Sequence, residues 1–339
     1  MLALGLKPGD KVITTPITFS ASANCVRHAG GEVVFADINP ETWLIDIDKV
    51  RELLEKDTSK QIKGIIPVDF AGLPVQMDSF RQLADEFNLW ILEDSCHAPG
   101  AYYIDGNNTK QQSGNGAYAD LAIFSFHPVK HIATGEGGMI TTRDPKLYEK
   151  LCTLRTHGIT RDNASFQNSK AMAYGLDKLS DINFSEKEYP GWYMELQELG
   201  FNYRLSDINA ALGLSQIKRA DAGLTRRREL AARYASALSD IPGIIQLSLL
   251  NEGHAWHLYP IMVKNRAELY TYLREKQIYI QIHYIPLHLM PYYQQFGWKK
   301  GDFPAAEHYY AHCISLPMYP TLTKEQQAEV IEKVEEFFS

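Results

Sequence analysis

Cysteine is scarce in this chain, with four among 339 residues, at Cys25, Cys96, Cys152 and Cys313. None forms a Cys-x-x-Cys pair, which excludes a disulfide framework and a zinc ribbon and fits a reducing compartment. Cys96 beside His97 is not a thiol dyad, because catalytic pairs meet in space rather than in sequence. An excess of positive charge is missing as well. The formal net charge is −7, which argues against a nucleic-acid binder. No apolar run approaches the length of a membrane span, and the N-terminus has no signal-peptide pattern, so a cytoplasmic protein is expected. The dinucleotide fingerprint is absent too: Gly135-Glu-Gly-Gly138 has the wrong spacing and precedes a strand rather than opening a helix. His127 and His131 have helical spacing, but Pro128 lies between them and no His-Glu-x-x-His accompanies them, so no metal site is expected. Internal repeats and low-complexity tracts are also lacking.

What is present belongs to a globular protein of 45% hydrophobic and 22% charged residues, long enough for two domains or one large and one small. Met1 to Asp10 reads as the tail of a helix. After it, strands are predicted at Lys11–Pro16, Glu32–Ile38, Ile62–Gly72 (with its loop), Leu89–Asp94, Leu121–Phe126 and Gly138–Thr142. Helices are predicted at Ser20–His28, Asp46–Glu55 and Asp78–Phe87. This alternation implies an α/β fold with a mainly parallel sheet. Residues 161–192 form a long polar stretch that invites a role as a lid or an oligomer arm. One long helical stretch is predicted from Leu205 to Leu238. Beyond it, strands at Trp256–Val263 and Ile278–Tyr284 mix with helices at Arg266–Lys276 and Lys324–Phe338. The predicted division places a large domain at residues 1–215 and a smaller α+β domain at residues 216–339.

The chemistry centres on Leu121 to Gly138. From Leu121 to Val129 there is no acidic residue, lysine or arginine, and then a single lysine, Lys130, follows the strand. A lysine at the end of a core strand is partly desolvated, which lowers its pKa and frees the amine as a Schiff-base nucleophile. Asp94 also ends an apolar strand. In a parallel sheet, ligands bind at the carboxyl ends of strands, so Asp94 and Lys130 can converge. A carboxylate there either keeps a pyridine nitrogen of a bound cofactor protonated or caps a helix. His97 either meets a phenolic oxygen or is a satisfied loop histidine. Ser125 offers its hydroxyl to a phosphate or caps the turn. Phe19 stacks on a flat ring or is core. His283 and His288 fit a substrate pocket and a packed loop equally well.

Several blocks together resemble a known family. Glu93-Asp-Ser-Cys-His-Ala-Pro-Gly100, Ser125-Phe-His-Pro-Val-Lys130 with Glu136-Gly-Gly138, and Gly200-Phe-Asn-Tyr-Arg-Leu-Ser-Asp207 look like the signatures of the pyridoxal-phosphate sugar-nucleotide aminotransferases of the DegT/StrS type. The likeness continues through Ala255-Trp-His-Leu258, His283-Tyr-Ile-Pro286 and Ser315-Leu-Pro-Met-Tyr-Pro320. Within that family, Phe126-His-Pro-Val-Lys130, Trp192 to Gly200 and His283 to His288 resemble the pseudaminic-acid-pathway members, which aminate C4 of a UDP-4-keto-6-deoxy-N-acetylhexosamine.

The resemblance implies the aspartate-aminotransferase fold (fold type I) and pyridoxal 5′-phosphate as cofactor. It implies Lys130 as the Schiff-base lysine, Asp94 at the pyridine nitrogen, His97 at the phenolic oxygen, Phe19 stacked on the ring and Ser125 at the phosphate. Asn202 would reach the phosphate held by a neighbouring subunit, which implies a homodimer with shared sites. His283, Tyr284 and His288 are expected on the substrate side. The family's phosphate-cradling loop opens a helix whose end resembles Ala3-Leu-Gly-Leu-Lys-Pro-Gly-Asp10. That loop is not in this sequence, so weak cofactor retention is expected of these residues alone.

The expected activity is transamination of a nucleotide-linked 4-keto-6-deoxy sugar with L-glutamate as donor. Two alternatives are a remnant that no longer retains cofactor and a dehydratase. Dehydrating relatives typically carry histidine at the lysine position, and Lys130 ranks that alternative low.

Overall fold

The computed structural model describes residues 1–178 and 188–339. They fall into two compact units, one formed by residues 1–143 with 207–339 and the other by residues 144–206. In the first unit the chain begins β1 (Lys11–Thr14), α1 (Ala21–His28), β2 (Glu32–Phe35), α2 (Ile47–Lys56), β3 (Ile62–Ile66), α3 (Met77–Phe87) and β4 (Trp90–Asp94). A hairpin of β5 (Tyr102–Ile104) and β6 (Lys110–Gln112) follows, then β7 (Leu121–Ser125) and β8 (Gly138–Thr141). The hairpin was not legible in the sequence, because neither strand is long or apolar enough to stand out.

Six strands form one sheet in the order β2-β1-β3-β4-β7-β8. All neighbours are parallel except β7 and β8, as helical crossovers between strands require. The apolar runs of β1, β3 and β4 are buried, as expected of strands covered on both faces. Ile13, Ile65 and Ile91 pack with Val50, Leu54, Phe80 and Leu83 of α2 and α3. Asp46 caps α2 by accepting the Asp48 N–H at 2.8 Å, which fixes where that helix starts. Gly64 stands opposite Trp90, and a Cβ there would lie 2.2 Å from the indole. Only glycine leaves room for that ring between the strands.

The unit continues with α6 (Asp207–Ile217), α7 (Ala220–Leu238), β11 (Ile244–Leu247), β12 (Tyr259–Val263), α8 (Arg266–Glu275), α9 (Pro291–Gln294), α10 (Pro304–His312), β13 (Cys313–Leu316) and α11 (Lys324–Phe338). β11, β12 and β13 make an antiparallel sheet. Its core joins Leu230, Tyr234 and Leu238 of α7 with Leu269 and Leu273 of α8 and Val330 and Val334 of α11. Thr323 and Gln326 form a reciprocal capping box at the start of α11.

Two expectations are corrected here. The stretch from Leu205 to Leu238 is two helices, broken at Lys218-Arg219, where Arg219 leaves helical geometry at φ −113° and ψ 0°; no glycine or proline marks the break. The predicted strand Ile278–Tyr284 makes only an isolated bridge, from Gln281 to Ser315 at the edge of β13 away from β12.

The second unit holds α4 (Pro145–Arg155), capped by Asp144, then β9 (Ile159–Thr160), α5 (Lys170–Ala173) and β10 (Glu195–Leu196). β9 and β10 pair antiparallel, and Asn202 bridges Thr156. Part of the long polar stretch, residues 179–187, lies outside the described residues. No helix among the described residues is long and apolar enough to cross a membrane.

One carboxylate ties distant parts of the first unit together. Asp37, buried just beyond β2, accepts the Ala305 and Ala306 N–H groups at 2.9 Å each, at the start of α10, and its own neighbour Ile38 at 2.8 Å. Replacing it leaves these donors unpaired. Asp37→Ala is expected to cost about 2–4 kcal/mol, and Asp37→Asn, which keeps one acceptor, less; thermal unfolding of the two variants measures the difference.

Candidate active site

Asp94 ends β4 and Ser125 ends β7, on adjacent parallel strands whose register pairs Asp94 with Ile123. Asp94 is buried. Its Oδ2 accepts a hydrogen bond from Ser22 Oγ at 2.7 Å, and its Oδ1 accepts the Cys96 N–H at 3.1 Å. Ser22 Oγ in turn lies 2.8 Å from Thr18 Oγ1. The first turn of α1 therefore orients the carboxylate, which stays an acceptor.

Beyond β7 the chain turns tightly. Ser125 Oγ accepts the His127 N–H at 3.3 Å, and the Lys130 N–H donates to the His127 carbonyl at 2.9 Å. This turn carries Lys130 back towards Asp94. Burial lowers the lysine pKa from its ordinary value, and the opposing pull of Asp94 is the smaller effect. A lowered pKa raises the fraction of free amine at a given pH. Burial pushes the Cys96 thiol up, so it is a neutral neighbour.

A cluster of rings forms the other wall. Tyr284 Oη lies 3.3 Å from His97 Nε2. The His97 ring sits 4.4 Å from that of His257, and His257 sits 5.2 Å from His131. Burial, then Lys130, holds His97 well below the usual imidazole range. Burial and Lys130 also push His283 down to about 4. Its Nδ1 lies 2.9 Å from Ser315 Oγ. Phe19, at the entry to α1, is 60% exposed with its ring 6.4 Å from Tyr284. A ring this exposed is available to stack, whereas a core phenylalanine would be enclosed.

The structure thus brings Lys130, Asp94, His97, His283 and Tyr284 together, with Phe19 beside Tyr284. His288 is not among them. Its side chain is fully enclosed, with Nε2 2.9 Å from Glu307 Oε1 and the ring against Phe303, so it has no surface to offer a substrate. Asn202 belongs to the other unit and is exposed there. Among the described residues no group of three His, Cys, Asp or Glu side chains is placed to hold a metal.

Sequence reasoning missed Ser22, His131, His257 and a second pair of acids. Ser22 had no signal beyond its place one turn into α1. His131 was weighed only as a metal ligand. The acids are Asp69 and Glu93, both buried. Asp69 accepts the Val75 N–H at 2.8 Å and Glu93 accepts the Gly114 N–H at 2.8 Å. Burial and the Glu93 charge raise Asp69 well above the carboxylate range. Burial likewise pushes Glu93 up to about 6.

These side chains fit pyridoxal phosphate: a half-buried amine, an oriented carboxylate, a neutral imidazole–phenol pair and an exposed aromatic face. The profile of the DegT/DnrJ/EryC1/StrS aminotransferase family matches residues 1–335. The chain belongs to this family. It is an aminotransferase of the pyridoxal-phosphate-dependent kind. The spore coat polysaccharide biosynthesis protein SpsC of Bacillus subtilis is 38% identical, covering 98% of this chain and 80% of that protein. The UDP-4-amino-4,6-dideoxy-N-acetyl-beta-L-altrosamine transaminase of Campylobacter jejuni is 32% identical over 95% of this chain and 80% of its own length. The solved structure of Helicobacter pylori PseC, an aminotransferase involved in pseudaminic acid biosynthesis, superposes with a TM-score of 0.82 at 30% identity, covering 98% of this chain and 80% of that one. The fold is accordingly the type I fold of these aminotransferases.

The buried acids generate a pH dependence. A carboxyl whose folded-state pKa lies above its ordinary value adds stability at low pH, and that stability is lost as pH rises through the folded value. For Glu93, moving from 4.5 to about 6, the loss amounts to about 2 kcal/mol. Glu93→Gln keeps an acceptor for Gly114 without the charge. It is expected to gain about 2 kcal/mol on wild type between pH 4 and pH 8, read from thermal melts at the two pH values.

Proposed function

We propose that this aminotransferase uses pyridoxal 5′-phosphate to move an amino group from L-glutamate to C4 of a UDP-linked 4-keto-6-deoxy-N-acetylhexosamine. The product would serve the biosynthesis of pseudaminic acid or a related surface-glycan amino sugar. The observation that carries this reading is the desolvated Lys130 amine beside the fixed carboxylate of Asp94 at the ends of β4 and β7. The named relatives support the sugar and the pathway.

When bound, the cofactor supplies an electron sink. Lys130 Nζ would be the nucleophile that holds it and, when free, would carry a proton from the donor's Cα to the cofactor carbon and, in the second half-reaction, from that carbon to C4 of the sugar. Asp94, aligned by Ser22 and the Cys96 N–H, would keep a proton at the ring nitrogen. His97, with Tyr284, would meet the phenolic oxygen, and Phe19 would offer its exposed face to the ring. Ser125 and the Asn202 of a second copy would contact the phosphate, which would make the working form a homodimer; the proposed location is the cytoplasm. His283 and Tyr284 line the sugar side, and the boundary between large and small domains falls near residue 215.

The test is a visible spectrum of the protein with added pyridoxal phosphate, followed by borohydride and peptide mapping. Wild type is expected to show an absorption band that reduction fixes on Lys130, and Lys130→Ala to lack it and to lose at least about a hundredfold in turnover. Absence of any adduct on Lys130 would refute the role. With glutamate and the keto sugar nucleotide, initial-rate plots are expected to be parallel; intersecting lines would count against the two-stage reaction.

A further inference from the structure

Arg227 is a buried cation, 6% exposed, on α7. Among the described residues no carboxylate pairs with it. Its Nη1 instead reaches three carbonyls, those of Trp256 at 2.9 Å, His257 at 3.1 Å and Met318 at 2.9 Å. Burying an arginine without an acid is costly unless its hydrogens are used. Here they are used to fix the backbone on which His257 sits.

That backbone is held from a second side. The Ala255 N–H donates to the Gly72 carbonyl at 2.8 Å and the Leu258 N–H to the Ala71 carbonyl at 3.2 Å. Gly72, at φ +97°, has no room for a Cβ, which would lie 2.9 Å from both the His97 carbonyl and the Trp256 nitrogen. Residues 71–72, the His97 segment and the 255–258 segment are therefore wedged together. The His257 ring meets the His97 ring at 4.4 Å and an interplanar angle of 35°. On its other sides His97 has Phe70 at 6.3 Å and Tyr284 at 6.3 Å.

We infer that Arg227 and His257 are positioning residues for His97. The guanidinium fixes the 256–257 backbone, and the His257 ring packs His97 into the orientation in which Nε2 meets the Tyr284 hydroxyl. This rests on the reading of His97 as a cofactor contact. Charge acts in the same direction. His97 is faced by Lys130, His283, His131 and the Tyr284 hydroxyl. His257 is faced by His97, His131, Lys130 and Arg227, and His131 by Arg227, Lys130 and His254. After burial, which dominates, the positive charge of Lys130 disfavours protonation of all three rings, and that of Arg227 disfavours it at His131 and His257.

The test uses the whole chain labelled with ¹⁵N at histidine and free of cofactor. The ring nitrogens of His97, identified by their loss in His97→Gln, report tautomer and protonation. Wild type is expected to show one neutral His97 species from pH 5.5 to pH 8. In Arg227→Met, a second His97 species and an upward shift in the titration of His131 and His257 are expected, and Arg227→Lys restores the single species. His257→Ala keeps the carbonyls that Arg227 holds and is expected to double the His97 signals; it decides the matter if Arg227→Met does not fold. A lowered melting temperature with the His97 signals unchanged in these variants would overturn the proposal. Adding pyridoxal phosphate and borohydride separates the two readings. If wild type forms no Lys130 adduct while His97 still responds, the cofactor role fails and the positioning stands. If the adduct forms and His97 does not respond, the positioning fails alone.

Discussion

A lysine partly withdrawn from water resists holding its charge, and the site depends on that resistance. Lys130 lies in a wall where burial outweighs the attraction of Asp94, so the amine is drawn towards its neutral, nucleophilic form. Were Asp94 free to swing onto the ammonium as an ion pair, the effect would reverse. Ser22 and the Cys96 N–H hold the carboxylate in place, with one donor on each oxygen. The surrounding groups add no competing charge: Cys96 stays a thiol and His97 stays neutral, each because it is buried.

The fold makes this arrangement available cheaply. A parallel sheet delivers the ends of β4 and β7 side by side, and the turn after Ser125 returns the lysine towards them. From the far end of the chain, the 255–258 and 283–284 segments bring rings against the same wall. Stability and chemistry are linked there. Asp69 and Glu93 sit next to Asp94 as buried acids whose protonation is favoured by folding.

Much of this was legible in the sequence because it rests on local pattern. Apolar runs flanked by glycine and proline located the strands of the main sheet, and a lone lysine after one of them pointed to the chemistry. The signature blocks gave the family, which the profile match over residues 1–335 then showed. What escaped depends on distant partners. His288 and His283 look alike in sequence, yet one is enclosed by Glu307 and Phe303 and the other faces Lys130. Arg227 stands in a run of three arginines, Arg226 to Arg228, and only the fold shows its three carbonyl partners. The break between α6 and α7 carries no glycine or proline, and the segment expected as a strand at Ile278–Tyr284 meets β13 only through the bridge from Gln281 to Ser315.

The account stands on the state of one amine. Reductive ¹³C-methylation of the lysines, with the Lys130 resonance identified by its absence in Lys130→Arg, gives that amine's titration directly. The account predicts a midpoint below those of the exposed lysines in the same spectrum. A Lys130 midpoint at or above theirs would contradict it, because the amine would then be a fully charged ion-pair partner of Asp94 and no nucleophile.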